Sequence, residues 1–269
     1  MKSLLSWGKI QVSNLDKVIL IARFDQKATH QNHVFGLLWE FLSPAIQIII
    51  YYLVFGIRLN GQTVIHSDIP YIYWMLTGLI PWFYISSSIV SGAGSITRNL
   101  NLIAKTHFPV EILPTIAVVK GLNGFFVMQS LFLVLFISQG FLPTLEWLQL
   151  IYYFPCMLLF LLALSVLTSA VTVIFRDLQL FITSAMRLLF FISGAVVNVA
   201  AHPDSLFTKI LTLNPFVYII EGFRDALLSR GWFFDEPFRA VYFFSFVLII
   251  LLTGIYITNK YRANFVEYM

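Results

Sequence analysis

Six blocks of mainly apolar residues divide the chain, at 37–57, 70–90, 110–139, 148–175, 179–200 and 238–258. Each reaches the roughly 20 residues that a helix needs to cross a hydrocarbon core of about 30 Å. Two further segments have a different pattern. Over 14–26, Leu15, Val18, Ile19 and Ala22 recur at helical spacing while Lys17, Arg23 and Gln26 supply polar positions. That pattern predicts a helix lying in the headgroup layer rather than crossing it. Between the last two blocks, Asp204 can cap a short helix running to about Leu213. Asn214 and Pro215 then form a cap and first-turn pair opening a second helix that ends near Gly231. At 1.5 Å per residue these reach roughly 15 Å and 24 Å, each short of the core thickness. A re-entrant pair over about 201–232 is expected, with Phe216, Ile219, Ile220, Phe223 and Leu227 as its apolar side; the alternative is a surface hairpin in water. The predicted fold is all-α and integral to the membrane. It has six transmembrane helices, an interfacial amphipathic helix near the N-terminus and a re-entrant pair before the last span. A cytosolic segment over 1–35 precedes a single transmembrane domain over 36–269.

Composition agrees and narrows the class. With 59% apolar and 11% charged residues and a mean hydropathy of +0.83, the chain departs far from a soluble average and excludes disorder. A lone Cys156 excludes an internal disulfide framework. The net charge of +4 is spread along the chain, without the patch that nucleic acid requires, and reads as topology. With both termini in the cytosol, the inner segments hold ten cations: Lys2, Lys9, Lys17, Arg23, Lys27, Arg98, Lys105, Arg176, Lys260 and Arg262. The outer segments hold five: Arg58, Lys209, Arg224, Arg230 and Arg239. This asymmetry follows the positive-inside rule. The apolar runs before the first span are too short for a secretory signal, so no cleavage is expected.

Catalytic and nucleotide motifs are missing. The only Gly-Lys pair, Gly8-Lys9, is followed by Ile10 and lacks the glycines of a phosphate loop. No Gly-x-Ser-x-Gly elbow or His-Glu-x-x-His helix occurs. His30 and His33 have no neighbouring carboxylate or cysteine to complete a metal site and read as solvated positions. Ionisable residues inside spans are costly and mark functional candidates. Glu111 and Lys120 are nine residues apart, on opposite helix faces, and cannot pair within their helix. Lys120 therefore either snorkels about 13 Å toward the cytosol or projects into a cavity between helices, and Arg187 poses the same choice. Aromatic residues make up 17% of the chain and cluster near span ends. Interfacial belts account for most of them. Rings facing a conduit, with Trp39, Tyr73, Trp74 and Tyr84 as candidates, would stack on carbohydrate while permitting it to slide.

Several motifs occur in order along nearly the whole chain. They are Gly36-Leu37-Leu38-Trp39 followed by Pro44, Gly78-Leu79-Ile80-Pro81-Trp82, Phe108-Pro109-Val110-Glu111-Ile112-Leu113-Pro114, Phe175-Arg176-Asp177, and Leu213-Asn214-Pro215 with Ile220-Glu221-Gly222-Phe223-Arg224. Together they resemble the ABC-2 family of polysaccharide and polyol-phosphate export permeases. Within it, Trp39-Glu40 with Pro44 and Gln47, Tyr51-Tyr52-Leu53-Val54-Phe55-Gly56, Pro70-Tyr71-Ile72-Tyr73-Trp74 and the tail Lys260-Tyr261-Arg262 with Phe265 look most like wall teichoic acid translocation permeases. The resemblance implies a multi-pass plasma-membrane subunit that is not itself an enzyme and works as a homodimer. Two copies of a cytosolic ATP-binding subunit would carry the ATP and magnesium. The cargo implied is a lipid-pyrophosphate-linked cell-wall polymer, wall teichoic acid first, with O-antigen or capsular polysaccharide as the alternative.

Family likeness places coupling to the motor around 99–107, with Asn99, Leu102, Lys105, Thr106 and His107, and at Arg176 and Asp177. Phe216, Tyr218, Glu221 and Arg224 are expected to form a re-entrant gate, and Lys120 and Arg187 to meet the substrate headgroup. One departure stands out: many relatives carry Ser-Pro-Val or Ser-Pro-Ile on the fifth span where this chain reads Ser193-Gly194-Ala195. Glycine permits a bend there without imposing one. Two other classes compete. A membrane-embedded enzyme acting on lipid-linked sugars would need a cluster of carboxylates or histidines near one membrane face, and a channel or scaffold would need no motor.

Overall fold

The computed structural model describes residues 2–30, 35–56, 69–105, 108–196, 206–262 and 265, and every regular element among them is helical. Two helices open the chain, Lys2–Ser13 (α1) and Leu15–His30 (α2). Asn14 makes the break between them, its side-chain amide donating to the Ile10 carbonyl at 2.9 Å. The sequence predicts only the second. Trp39–Tyr51 (α3) carries straight into the π-helical turn Tyr52–Gly56, and Tyr71–Ala93 (α4) is followed by the short helices Ser95–Arg98 (α5) and Leu100–Lys105 (α6). The predicted third span is divided in two, Leu113–Lys120 (α7) and Leu122–Ser138 (α8), after a 3-10 turn at Val110–Ile112. The remaining helices are Leu150–Ile174 (α9), Leu178–Ile192 (α10), Leu206–Thr212 (α11), Pro215–Leu228 (α12) and Pro237–Tyr261 (α13).

Among the described residues, three stretches, Val110–Ser138, Leu145–Ile174 and Pro237–Tyr261, are long and apolar enough to cross a membrane. Phe41–Val54 and Leu178–Ile192 are shorter apolar helices. With 23 residues, α4 has the length, yet it is buried along most of its course. Its Tyr, Trp, Ser, Thr and Gly residues make it the hub of the bundle, packed by α7, α8, α9, α10 and α12. Trp74, Met75, Leu76, Leu79, Ile80 and Ile85 fill the centre with Phe132, Phe136, Phe160 and Phe243 from surrounding helices. The outer faces of α8, α10 and α13 expose Val134, Leu188, Phe181, Val241 and Ile249. Apolar surface on this scale suits lipid, with the backbone bonded inside the helices.

A second cluster lies at the end of the bundle where α1 and α2 sit. Val18 and Ala22 of α2 are buried there against Ile96, Val110, Ile112, Leu113, Ile116, Val173 and Phe265. Only this narrow stripe of α2 packs; Leu15, Leu20 and Phe24 remain exposed as an apolar surface suited to a headgroup layer. Glu111, which has no partner on its own helix, is paired with Arg262 at 3.1 Å. Gln11 of α1 donates to the Glu111 carbonyl and accepts from the Thr115 hydroxyl, both at 2.8 Å, so both ends of the chain are fastened to the start of α7.

Two boundaries differ from the sequence expectation. The fifth span was expected over 179–200, but α10 ends at Ile192 because Gly194 takes φ +83°. That is the left-handed conformation that closes helices and that proline cannot adopt. Glycine here permits the stop, and the donors that meet the freed carbonyls hold it in place. The two helices expected in this segment are present from Leu206, with Asn214 capping α12 by accepting from the Phe216 amide at 3.1 Å. The expected cap Asp204 lies outside the described residues. The second helix stops at Leu228, where Ser229 turns left-handed at φ +54°.

Close packing of α9 on α13 rests on Gly254, where an added Cβ would lie 2.7 Å from the Leu167 backbone nitrogen. Gly254→Ala must push the two helices apart and is expected to cost about 1–3 kcal/mol. Gly8→Ala, where an added Cβ meets nothing within 4 Å, is expected to hold or raise stability. Thermal unfolding of both variants in detergent checks this; equal midpoints would contradict the α9–α13 contact.

Candidate functional site

Where α10 stops inside the bundle, its chain leaves carbonyl oxygens with no helical partner, and side chains from elsewhere come to meet them. Asn214 donates to the Ile192 carbonyl at 3.1 Å and the Tyr71 hydroxyl to Val196 at 3.1 Å. Arg224 serves two between. Its guanidinium donates to the Gly194 carbonyl, to Ala195 at 2.7 Å, to the Trp74 carbonyl at 3.3 Å and to Glu221 at 2.6 Å. It also lies 3.6 Å from the centroid of the Trp74 ring, a cation–π contact. Arg224 is 0% exposed, and Gly78 leaves the room it occupies, since a Cβ there would collide with the guanidinium. Arginine's planar fork with five donors suits this site; lysine's point charge does not.

The predicted gate residues therefore converge on α12. Phe216 packs edge-on against Trp82 and Phe160, and Tyr218 stacks on Phe243 at 4.6 Å. The Tyr218 hydroxyl pairs with that of Tyr152 at 2.9 Å.

A groove runs along another side of α4. Its first part, about 720 Å³, lies between α3, α4, α8 and α10, with Tyr51, Trp82, Tyr84, Phe125 and Phe190 as aromatic walls and Gln47, Thr183 and Arg187 as polar ones. The second part, about 520 Å³, opens toward α2 and is lined by Gln26, Trp39, Ser87, Ser88, Ser91 and Lys120. The two share Pro44, Ser87, Gly121 and Gly124 and form one continuous surface. Gly121 is tight, its would-be Cβ lying 2.9 Å from the Tyr84 ring; at Gly124 a Cβ meets nothing within 4 Å.

Of the predicted conduit residues, Lys120, Arg187, Trp39 and Tyr84 line this groove. Tyr84 also donates its hydroxyl to the Val118 carbonyl at 3.0 Å, bracing α4 against α7. Tyr73 and Trp74 do not line it. Tyr73 packs on Phe136 and Phe141 in the core, and Trp74, 0% exposed, lies under Arg224. Spacing along α4 cannot separate these rings from Trp82 and Tyr84, because almost all of the helix is buried.

The predicted coupling residues gather at the α1/α2 end. Asn99 joins α5 to α6 and donates to the Ser95 carbonyl at 2.8 Å; Leu102 and Lys105 are exposed on α6. Thr106 and His107 lie outside the described residues. Arg176 and Asp177 form the exposed turn between α9 and α10, and next to them Gln179 donates to the Val90 carbonyl of α4 at 3.0 Å. Sequence reasoning missed α1 and its Gln11 clasp. The one available signal was the Leu4, Leu5, Ile10 and Val12 series, which is too short to separate from a loop.

Residues 17–228 match the model of the ABC-2 type transporter family. The O-antigen export system permease protein RfbA of Myxococcus xanthus is 30% identical over 256 residues, covering 93% of this chain and 94% of that protein. RfbA of Klebsiella pneumoniae is 29% identical, with 94% of each covered. The polysialic acid transport protein KpsM of Escherichia coli is 25% identical, covering 82% of this chain and 83% of that protein.

Removing Arg224 takes the donor from the Gly194 and Ala195 carbonyls and leaves Glu221 only the more distant Arg230 at 3.9 Å, while the Trp74 carbonyl keeps the Thr77 hydroxyl at 2.7 Å. Arg224→Met is expected to cost about 3–5 kcal/mol. Arg224→Lys should recover little of that, and Glu221→Gln with Arg224→Met should be milder than Arg224→Met alone. Thermal unfolding in detergent measures all three; an Arg224→Lys midpoint equal to the parent's contradicts the multidentate role.

Proposed function

The chain belongs to the ABC-2 type transporter family, and from that premise we propose that it is the transmembrane permease subunit of an ATP-driven exporter carrying a lipid-linked surface polysaccharide out of the cell. It sits in the plasma membrane with six spans and both termini in the cytosol, acts as a homodimer, and draws its energy from two copies of a cytosolic ATP-binding subunit that hold ATP and magnesium. The observation that carries this reading is the continuous groove beside α4, with aromatic walls at one part and Lys120 at the other. Ring faces hold sugars by stacking without fixing their position, which a sliding polymer requires. The named relatives favour O-antigen or capsular polysaccharide over the wall teichoic acid that the motif resemblance put first. The exposed positions Leu102, Lys105, Arg176 and Asp177 share one end of the bundle and form the surface offered to the motor.

Two outcomes test the reading. The chain should copurify with an ATP-binding subunit and hydrolyse no ATP without it; hydrolysis by the partner-free chain above a contaminant control contradicts the assignment. Gly124→Leu fills the groove from a position with free space around it. In a strain lacking the gene, it should restore roughly tenfold less surface polysaccharide than the parent at equal membrane level, as expected for about 1.4 kcal/mol lost from passage. Gly124→Ala should restore it fully. Normal export with Gly124→Leu would move the path elsewhere.

A further inference from the structure

A second cavity, of about 570 Å³, shares no lining residue with the groove. It takes Tyr153 from the first turn of α9 and Arg239 from the first turn of α13, and so lies at the end of the bundle opposite α1 and α2. Val217, Tyr218, Glu221, Gly222 and Asp225 border it from one face of α12, while Phe216 and Arg224 on the other face turn to α4. Gly222 lets Tyr153 lie against α12, since a Cβ there would collide with that ring. The opposite wall is the turn after α12. Gln149, 2% exposed, donates to the Gly231 carbonyl and accepts from the Phe233 amide, both at 2.8 Å, and Asp235 accepts from the Trp232 amide at 2.7 Å. These bonds hold Trp232 in place, and its ring, stacked on Phe234 at 5.5 Å, is only partly covered. Donors and acceptors are mixed around the cavity, Lys209, Arg230 and Arg239 standing with the carboxylates of Glu221, Asp225 and Glu236. Arg224 holds Glu221 at 2.6 Å and Arg239 holds Glu236 at 2.8 Å. Among the described residues no ion pair within 4 Å reaches the partly buried Asp225 carboxylate, on which Arg230 and Arg239 act only at longer range. A carboxylate withdrawn this far from water calls for a donor.

We propose that this cavity is a carbohydrate-binding site, separate from the groove, that takes a short neutral saccharide with Trp232 as its ring platform and Asp225 as its principal acceptor. A sugar hydroxyl donates one hydrogen bond and accepts two, so it satisfies a carboxylate and a guanidinium at once, while the C–H face of the sugar ring packs on an indole. The saccharide brings no charge to upset a cavity whose own charges are nearly balanced. An anion would meet the carboxylates, and the described residues hold no group of three His, Cys, Asp or Glu side chains able to hold a metal ion. A lipid tail is refused by the same ring of charges. The volume falls among those of small-ligand sites, about 300–1,000 Å³. The site stands on the cavity alone. The exporter reading enters only for its source: in that orientation the cavity lies toward the outer face, where the saccharide belongs either to the exported polymer or to another glycan.

Saturation-transfer NMR on the full-length protein, purified with whatever subunit accompanies it into phosphatidylcholine nanodiscs, tests the site with two probes: cellobiose, and the oligosaccharide released by mild acid from the surface polysaccharide of the producing cell. Saturable binding of at least one is expected. Binding of the released oligosaccharide roughly tenfold tighter or more identifies the exported polymer as the source; a smaller difference, or tighter cellobiose, makes any neutral saccharide sufficient. Trp232→Ala should weaken binding roughly tenfold, and Trp232→Phe should retain most of it. Asp225→Asn should weaken it severalfold and carries the test if Trp232→Ala does not fold. Failure of both probes to bind, or parental affinity in folded Trp232→Ala and Asp225→Asn, overturns the proposal. Neither ATP nor transport enters the measurement, so saccharide binding without polysaccharide export would sink the exporter reading alone, and export without saccharide binding would sink this site alone.

Discussion

A helix that ends inside a bundle leaves carbonyl oxygens where no water can reach them, and the architecture of this protein is organised around meeting that demand. The chain leaving α10 buries the carbonyls of Gly194 and Ala195, both met by Arg224, and at the more accessible edges those of Ile192 and Val196 are met by Asn214 and Tyr71. In a medium of low polarity each such group costs several kcal/mol if left unmatched. The solution fixes three helices at once. Arg224 belongs to α12, its acceptors to α4 and the end of α10, and Glu221 one turn earlier neutralises its charge. Trp74 is held flat beneath it. The Asn-Pro pair opening α12 does two things with one residue, since Asn214 caps its own helix through Oδ1 and closes α10 through Nδ2.

With α12 pinned on one side, α4 is left with another side free to line a groove. The residues there change character along the helix: Trp82 and Tyr84 in one part, Ser87, Ser88 and Ser91 in the next. Gly121 at the α7–α8 junction and Gly124 on α8 keep the facing wall thin enough for both parts to join.

The far end of the bundle is fastened by different chemistry. Gln11 reaches the start of α7 from the N-terminal helix, Arg262 reaches Glu111 from the C-terminal one, and Val18, Ala22 and Phe265 pack beneath. Both chain ends thereby brace the segment that follows α5 and α6. A packed cluster joins those short helices to α7, and the Tyr84–Val118 bond joins α7 to α4.

Much of this was legible in the sequence because it depends on local or additive quantities. Block length and hydropathy located most of the helices, and the Asn-Pro pair announced α12. Lys120 and Arg187 stood out because charge inside an apolar block has few innocent explanations. Which rings face the groove and which are buried depended on the neighbours of α4, and a helix covered on nearly all sides carries no periodic signal to read. The end of α10 was also beyond reach. Ser193-Gly194-Ala195 can continue a helix or stop one, and only the donors brought by α12 and α4, far away in the chain, make the left-handed glycine and its freed carbonyls the lower free-energy choice.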